Sequence, residues 1–200
     1  MPKPIEFWFD FSSPYGYLAS HRIGDIAARF GREVLWRPFL IGAVMQRTGS
    51  RPLVERNLIG AYAAHDFERF ARLLGVPFRL PDPFPVSSVA ASRAFYWQEA
   101  RDPAAAPALA RALYAAYFVD GRDISQTSVV VDVAAGGTTT RAEVEAGIQD
   151  QAIKDRLRKV TDGAAERGIF GSPFVIVDGE AFWGCDRLPQ VERWLETGGW

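Results

Sequence analysis

The sequence predicts an α/β domain: a β-α-β unit at the N-terminus, a β-β-α unit at the C-terminus, and a large all-helical insertion between them. Three patterns predict it. At the start, two short apolar and aromatic runs, PIEFWFDF and EVLWRPF, bracket a helical stretch. Near the end, FVIV and EAFW are separated by Asp178-Gly179, the type I′ turn dipeptide that marks a hairpin. Between about 42 and 170, apolar residues recur at helical spacing and no strand pattern stands out.

The elements follow in order. PIEFWFDF is strand one. Pro14 suits the first turn of a helix, and Ser13 before it is a natural N-cap. The helix continues with Ile23, Ile26, Ala27 and Phe30 on one face and stops at Gly31. EVLWRPF is strand two, ended by Pro38. In the insertion, Ile59, Tyr62, Ala63, Phe67, Phe70 and Leu74 trace a helical stripe closed by Gly75. After the Pro-rich VPFRLPDPFP, two alanine-rich helical segments cover about 88–101 and 104–119, split by RDPAAAP. VVVDVAAGG is ambiguous; its alanines and its lack of a pairing partner favour a helix. A further helix carries Ile153, Leu157, Val160 and Ala164 and ends at Gly168. After the hairpin, Asp186 can cap a last helix with Leu188, Val191, Trp194 and Leu195 on one face. This order is a thioredoxin fold interrupted in its middle, giving a discontinuous domain of residues 1–41 and 168–200 and a helical insertion of residues 42–167.

Composition narrows the function. With 200 residues, 48% of them hydrophobic, the chain can bury a sizeable core as one elaborated domain or two small ones. A net charge of −1 without a lysine/arginine run argues against a nucleic-acid surface, whose affinity rests on phosphate neutralisation. No apolar run approaches a membrane span and the N-terminus has no signal-peptide core, so a cytoplasmic protein without a membrane partner is expected. The single cysteine, Cys185, excludes an internal disulfide and a CxxC centre. Two histidines, His21 and His65, stand at no metal-ligand spacing, so no metal is expected.

Three places can carry chemistry. Ser12-Ser13-Pro14-Tyr15 sits at a strand-to-helix junction, where backbone N–H groups and a hydroxyl favour an anion such as a thiolate. The ordinary role of Ser13 is a helix cap. Ser172-Pro173 precedes a strand; a cis-proline there exposes a backbone edge to a peptide-like ligand. X-Pro bonds are cis in only about 5–6% of cases, so a trans proline starting a strand is the simpler reading. Gly184-Cys185-Asp186 opens the last helix, where Asp186 can answer a ligand ammonium; a capping Asp beside a buried small Cys is the alternative. Each signal alone is weak, and their order along the chain is far more specific.

The runs FDFSSPYGYLASHR, WRPFLIGAV, ERFARLLGVPF, FVDGRDIS and GIFGSPFVIVDGEAFWGCDRL together resemble the 2-hydroxychromene-2-carboxylate isomerase family, related to kappa-class glutathione transferases and to the oxidoreductase DsbA. The resemblance spans nearly the whole chain and is most specific at its two ends. It implies glutathione as cofactor and a small aromatic catabolite as substrate. It places Ser13 against the glutathione sulfur, with glutathione contacts from Pro14, Tyr15, Ser172, Pro173, Cys185 and Asp186. Ser50 stands where the family has an asparagine in an N-[KR]-P-P run. The chain departs from the family at Asn57-Leu58-Ile59, where relatives often carry Pro-Ala-Lys, and at Cys185, where Asn or Ser is usual.

The resemblance implies cis–trans isomerisation by thiolate addition to a conjugated C=C, rotation about the resulting single bond, and elimination. Arg37, after strand two, is a candidate for the substrate carboxylate or enolate, with a structural salt bridge as its ordinary role. Two other functions fit the same motifs: a kappa-like glutathione S-transferase or peroxidase, and a non-catalytic glutathione- or peptide-binding module. The relatives imply a homodimer.

Overall fold

The computed structural model describes residues 2–200. Among these, a mixed four-stranded sheet has the order β2-β1-β3-β4, with β1 at Ile5–Phe9, β2 at Val34–Pro38, β3 at Phe174–Val177 and β4 at Glu180–Trp183. β1 runs parallel to β2, Phe7 opposite Trp36, and antiparallel to β3, Phe7 opposite Val175. β3 and β4 form the expected hairpin, and both turn residues have positive φ, 53° at Asp178 and 99° at Gly179. The two ends of the chain therefore build one sheet with the first strand inside it.

An inner strand covered on both faces is apolar almost throughout, and β1 is. On one face Phe7 and Phe9 meet Trp36 edge-to-face at centroid distances of 5.1 and 5.6 Å. On the other, Trp8 meets Phe39 at 6.3 Å. Each such side chain, fully buried, stabilises the fold by about 1.5–3 kcal/mol.

The helix expected from Pro14 to Phe30 is two helices, α1 (Pro14–Ser20) and α2 (Ile23–Arg29). The break follows from Ser20. Its buried hydroxyl donates back to the Tyr17 carbonyl at 2.6 Å, and His21 and Arg22 close the turn with i→i−3 bonds. Gly31 then stops α2 at φ 60°. A short helix not marked by the apolar pattern, α3 (Ile41–Thr48), follows β2 and ends at left-handed Gly49.

The insertion is helical as predicted. α4 (Ile59–Leu74) closes at left-handed Gly75, with Ala63, Phe67 and Ala71 buried while Ile59 and Tyr62 stay exposed. The alanine-rich segments are α5 (Val89–Arg101) and α6 (Ala106–Phe118), and the ambiguous VVVDVAAGG is helical as α7 (Thr127–Ala134). α8 (Arg141–Gln149) starts at a capping box. Thr140 Oγ1 accepts from the Glu143 N–H, and the Glu143 carboxylate accepts from the Thr140 N–H at 2.7 Å. α9 (Gln151–Glu166) buries Ile153, Leu157 and Ala164, and α10 (Leu188–Thr197) ends the chain. None of these helices is long and apolar enough to cross a membrane.

Asp186 does not cap α10. It lies within a 3₁₀ turn, Cys185–Arg187, and its carboxylate pairs with Arg187, which takes the N-cap position. Four buried tyrosines donate to backbone carbonyls, three of them between the insertion and the β-α-β unit and Tyr117 within the insertion. Tyr17 bonds Pro77, Tyr96 bonds Pro38, Tyr114 bonds Asp10 and Tyr117 bonds Pro83, all at 2.6–3.0 Å. Each phenol thereby gains a partner for its polar end while its ring packs in the core.

Candidate active site

A cavity of about 970 Å³ opens between the β1–α1 junction, the segment from α3 to α4, and the two stretches that flank β3 and β4. A smaller one of about 480 Å³, between α3 and the end of α9, is mostly apolar, and its Arg47 is paired with Asp162. The larger cavity brings together Ser13, Pro14, Tyr15, Ser50, Ser172, Cys185 and Asp186, which the sequence scatters from position 13 to position 186. Pro173 follows Ser172 directly, and the Ser172–Pro173 bond is cis. Arg37 is not brought there. It lies on β2 opposite Trp8, with its guanidinium 3.7 Å from Glu99, the salt bridge that is its ordinary role.

Ser13 is the N-cap of α1, its Oγ accepting from the Gly16 N–H at 3.0 Å. The same hydroxyl donates to the Ser172 carbonyl at 2.8 Å, so the SSPY junction and the cis-proline segment are joined directly. Pro14 contributes no N–H, and the Tyr15 N–H has no acceptor among the described residues. The Ser172 N–H likewise has none, while its side-chain Oγ accepts from the Asp10 N–H at 2.9 Å. Two backbone donors thus lie unclaimed beside the Ser13 hydroxyl.

Beneath them sits Asp10, a buried carboxylate that belongs to none of the three sequence motifs. One carboxylate oxygen accepts from the Ser12 N–H and Ser12 Oγ, both at 2.7 Å. The other accepts from the Ile41 N–H at 2.9 Å and Ser88 Oγ at 3.0 Å. Burial raises its pKa against these four donors. The Asp10 carbonyl accepts from the Ser13 N–H and the Tyr114 hydroxyl. Ser12 is therefore occupied with Asp10. The signal in the sequence was a single charge inside the apolar run FWFDF.

Tyr15 forms part of an apolar wall, its ring edge-to-face with Phe67 at 4.9 Å and its hydroxyl donating to Asp66. Burial, and then the Asp66 carboxylate, raise the Tyr15 pKa, so it is a neutral phenol. Opposite, Trp183 and Phe170 meet at 4.8 Å and remain about half exposed. Gly171 permits this: a Cβ there would stand 2.0 Å from Trp183 Nε1.

Cys185 is the chain's one thiol and it faces this cavity, yet burial and the neighbouring Asp186 push its pKa up to about 12. A thiol held protonated is a poor nucleophile. The expected result is that Cys185 resists iodoacetamide in the native protein in mildly alkaline buffer and labels fully once unfolded. Rapid native labelling, followed by mass spectrometry, would contradict the buried, protonated state.

Comparison with known proteins agrees with this fold. Residues 4–196 match the DSBA-like thioredoxin domain. The chain is 30% identical over 200 residues to a 2-hydroxychromene-2-carboxylate isomerase of Sphingobium xenophagum, covering 98% of this chain and 99% of that protein. It is 30% identical over 206 residues to glutathione S-transferase kappa 2 of Caenorhabditis elegans, covering 96% and 92%. A solved structure of 2-hydroxychromene-2-carboxylate isomerase superposes with a TM-score of 0.81 at 26% identity, over 96% of this chain and 94% of that one.

Proposed function

The chain belongs to the DSBA-like thioredoxin domain family, in the group of 2-hydroxychromene-2-carboxylate isomerases and kappa-class glutathione transferases, and from that premise we propose that it is a glutathione-dependent cis–trans isomerase of an aromatic catabolite such as 2-hydroxychromene-2-carboxylate. The observation that carries this reading is the joined pair Ser13 and Ser172 at a cavity where a dithiol enzyme would need two cysteines and this chain has one cysteine in all. A thiol at this point has to arrive with a ligand.

The residues fit a tripeptide thiol. The unclaimed Ser172 N–H and the adjoining carbonyl are the edge that an extended peptide backbone pairs with. Asp186 is a countercharge for an ammonium, and Ser50 adds a hydroxyl on the far wall. Glutathione supplies a nucleophilic sulfur whose reversible addition to a conjugated C=C interrupts the π-bond and frees it to rotate.

Ser13 is the group that favours the ionised sulfur. Its Oγ stays anchored by the Gly16 N–H while the hydroxyl hydrogen turns from the Ser172 carbonyl toward the ligand. The Tyr15 N–H is a second donor for the same charge. Tyr15, Phe67, Phe70 and Phe84 present the apolar surface that an aromatic ring requires.

The expected result is isomerisation of 2-hydroxychromene-2-carboxylate that requires glutathione and does not consume it. Isomerisation at equal rate without glutathione overturns the reading. The second reading, a kappa-like transferase, is favoured by the kappa-class relative. It predicts stoichiometric loss of glutathione with chlorodinitrobenzene and no chromene turnover. Saturable glutathione binding without either reaction would leave a binding module.

A further inference from the structure

Two tyrosines line the large cavity, and their hydroxyls stand in opposite states. Tyr15 donates its hydrogen to Asp66 and is committed within the protein. Tyr62 only accepts. Arg69 Nη2 donates to its oxygen at 2.9 Å, and its own hydroxyl hydrogen has no acceptor among the described residues. A phenol can accept and donate at once, so Tyr62 presents an unused donor. At 60% exposure it stands at the open side of the cavity, within reach of a ligand.

The donor is held from behind. Tyr62, Asp66 and Arg69 fall at i, i+4 and i+7 of α4, on one face of the helix. Arg69 pairs with Asp66, and its guanidinium carbon lies 5.4 Å from the centre of the Tyr62 ring. Through Asp66 the bonds continue to Tyr15, so the two phenols are tied to one another between α1 and α4. A hydroxyl whose oxygen accepts from a cation is a stronger donor, because each bond polarises the next. Phe67 and Phe70, which belong to the apolar wall, lie on the same stretch of α4.

We propose that Tyr62 donates a hydrogen bond to the oxygen of a conjugated electrophile lying on that wall, with Arg69 as its positioning residue. The class of electrophile rests on the function proposed above; the free hydroxyl and its guanidinium support do not. As the glutathione sulfur bonds to the far carbon of a C=C–C=O unit, the π electrons move onto the carbonyl oxygen, and elimination returns them. Tyr62 keeps its proton and stabilises that oxygen while it carries the charge. The enolate thereby gains a donor that Arg37, outside the cavity, does not supply.

4-Nitrophenolate tests this without turnover, since it is planar, aromatic and carries one oxyanion; nitrobenzene is its uncharged counterpart. In spectrophotometric titrations with glutathione present, Tyr62→Phe is expected to bind the phenolate about ten- to a hundredfold more weakly than the wild type, and nitrobenzene equally well. The visible absorbance of the phenolate reports its ionisation, and the bound dye should regain its proton at a higher pH in the variant. Arg69→Gln should weaken phenolate binding less, and add little in the Tyr62→Phe background, because both residues act at one oxygen. A merely structural arginine would lower affinity for both ligands in either background. Equal phenolate affinity in wild type and Tyr62→Phe, an equal loss for phenolate and nitrobenzene, or no phenolate binding to the wild type overturns the donor. The isomerase assay separates this from the proposed function. A wild type that isomerises the chromene, with Tyr62→Phe at the same rate, keeps the function and removes the donor. A wild type that selects the phenolate through Tyr62 yet isomerises nothing keeps the donor and removes the function.

Discussion

Ser13→Ala is expected to fold and to lose about 10²–10³ in glutathione-dependent turnover, the usual loss when one preorganised donor to a developing or stabilised anion is removed. The geometry defines what goes. Alanine deletes the hydroxyl that donates to the Ser172 carbonyl and the acceptor of the Gly16 N–H. The loss of an N-cap costs about 0.5–2 kcal/mol. At about 2–4 °C of melting temperature per kcal/mol for a chain of this size, the native state survives. A merely structural Ser13 would show the melting shift and nothing else. The functional role adds a second readout: the ultraviolet thiolate absorbance of bound glutathione at neutral pH should fall in the variant as the bound thiol regains its proton. Ser12→Ala is the internal control, since that hydroxyl is committed to Asp10. It should lower the melting temperature and keep most of the turnover. Wild-type turnover and an unchanged thiol titration in Ser13→Ala would remove Ser13 from the chemistry.

The readability of this fold differed by region, for physical reasons. The strands and the hairpin were legible because β1 is apolar on both faces and Asp178-Gly179 supplies the two positive-φ residues that its turn requires. The break between α1 and α2 was not, because apolar spacing runs straight through it. A buried serine back-bond makes the break, and that depends on Ser20 facing the core. α8 could have been found: Thr140-x-x-Glu143 is a capping-box pattern in the sequence itself. Asp186 stands one residue before the cap because a 3₁₀ turn runs directly into α10 and no spacing in the sequence separates the two. For the site, local motifs located Ser13 and Ser172 separately, and tertiary structure alone joins them through a hydrogen bond spanning 159 positions. Arg37 lies outside the cavity because the pleat of β2 turns its side chain toward Glu99, which apolar spacing alone does not reveal.

Asp10→Ala is expected to destabilise the protein more than any other single change at the site. Each carboxylate oxygen of Asp10 accepts one hydroxyl and one backbone N–H: Ser12 on one side, Ser88 and Ile41 on the other. The hydroxyls can turn to new partners, but the two backbone N–H groups cannot. An orphaned buried donor costs about 1–3 kcal/mol, so Asn, which keeps one acceptor oxygen, should lose about that much. Alanine orphans both and leaves a void, for a loss of about 3–5 kcal/mol. The graded order, wild type above Asn above Ala, separates this account from simple relief of a buried charge. Burial raises the Asp10 pKa, so the charge itself carries a desolvation cost, and if that cost dominated, Asn would match or exceed the wild type. Urea denaturation of the three proteins decides between the two. Because the Asp10 carboxylate holds Ser12, next to Ser13, and the Ile41 N–H on the cavity wall, stable variants should show weakened glutathione binding in the same order. An Asn variant as stable as the wild type would show that the four donors only compensate a charge the fold would be better without.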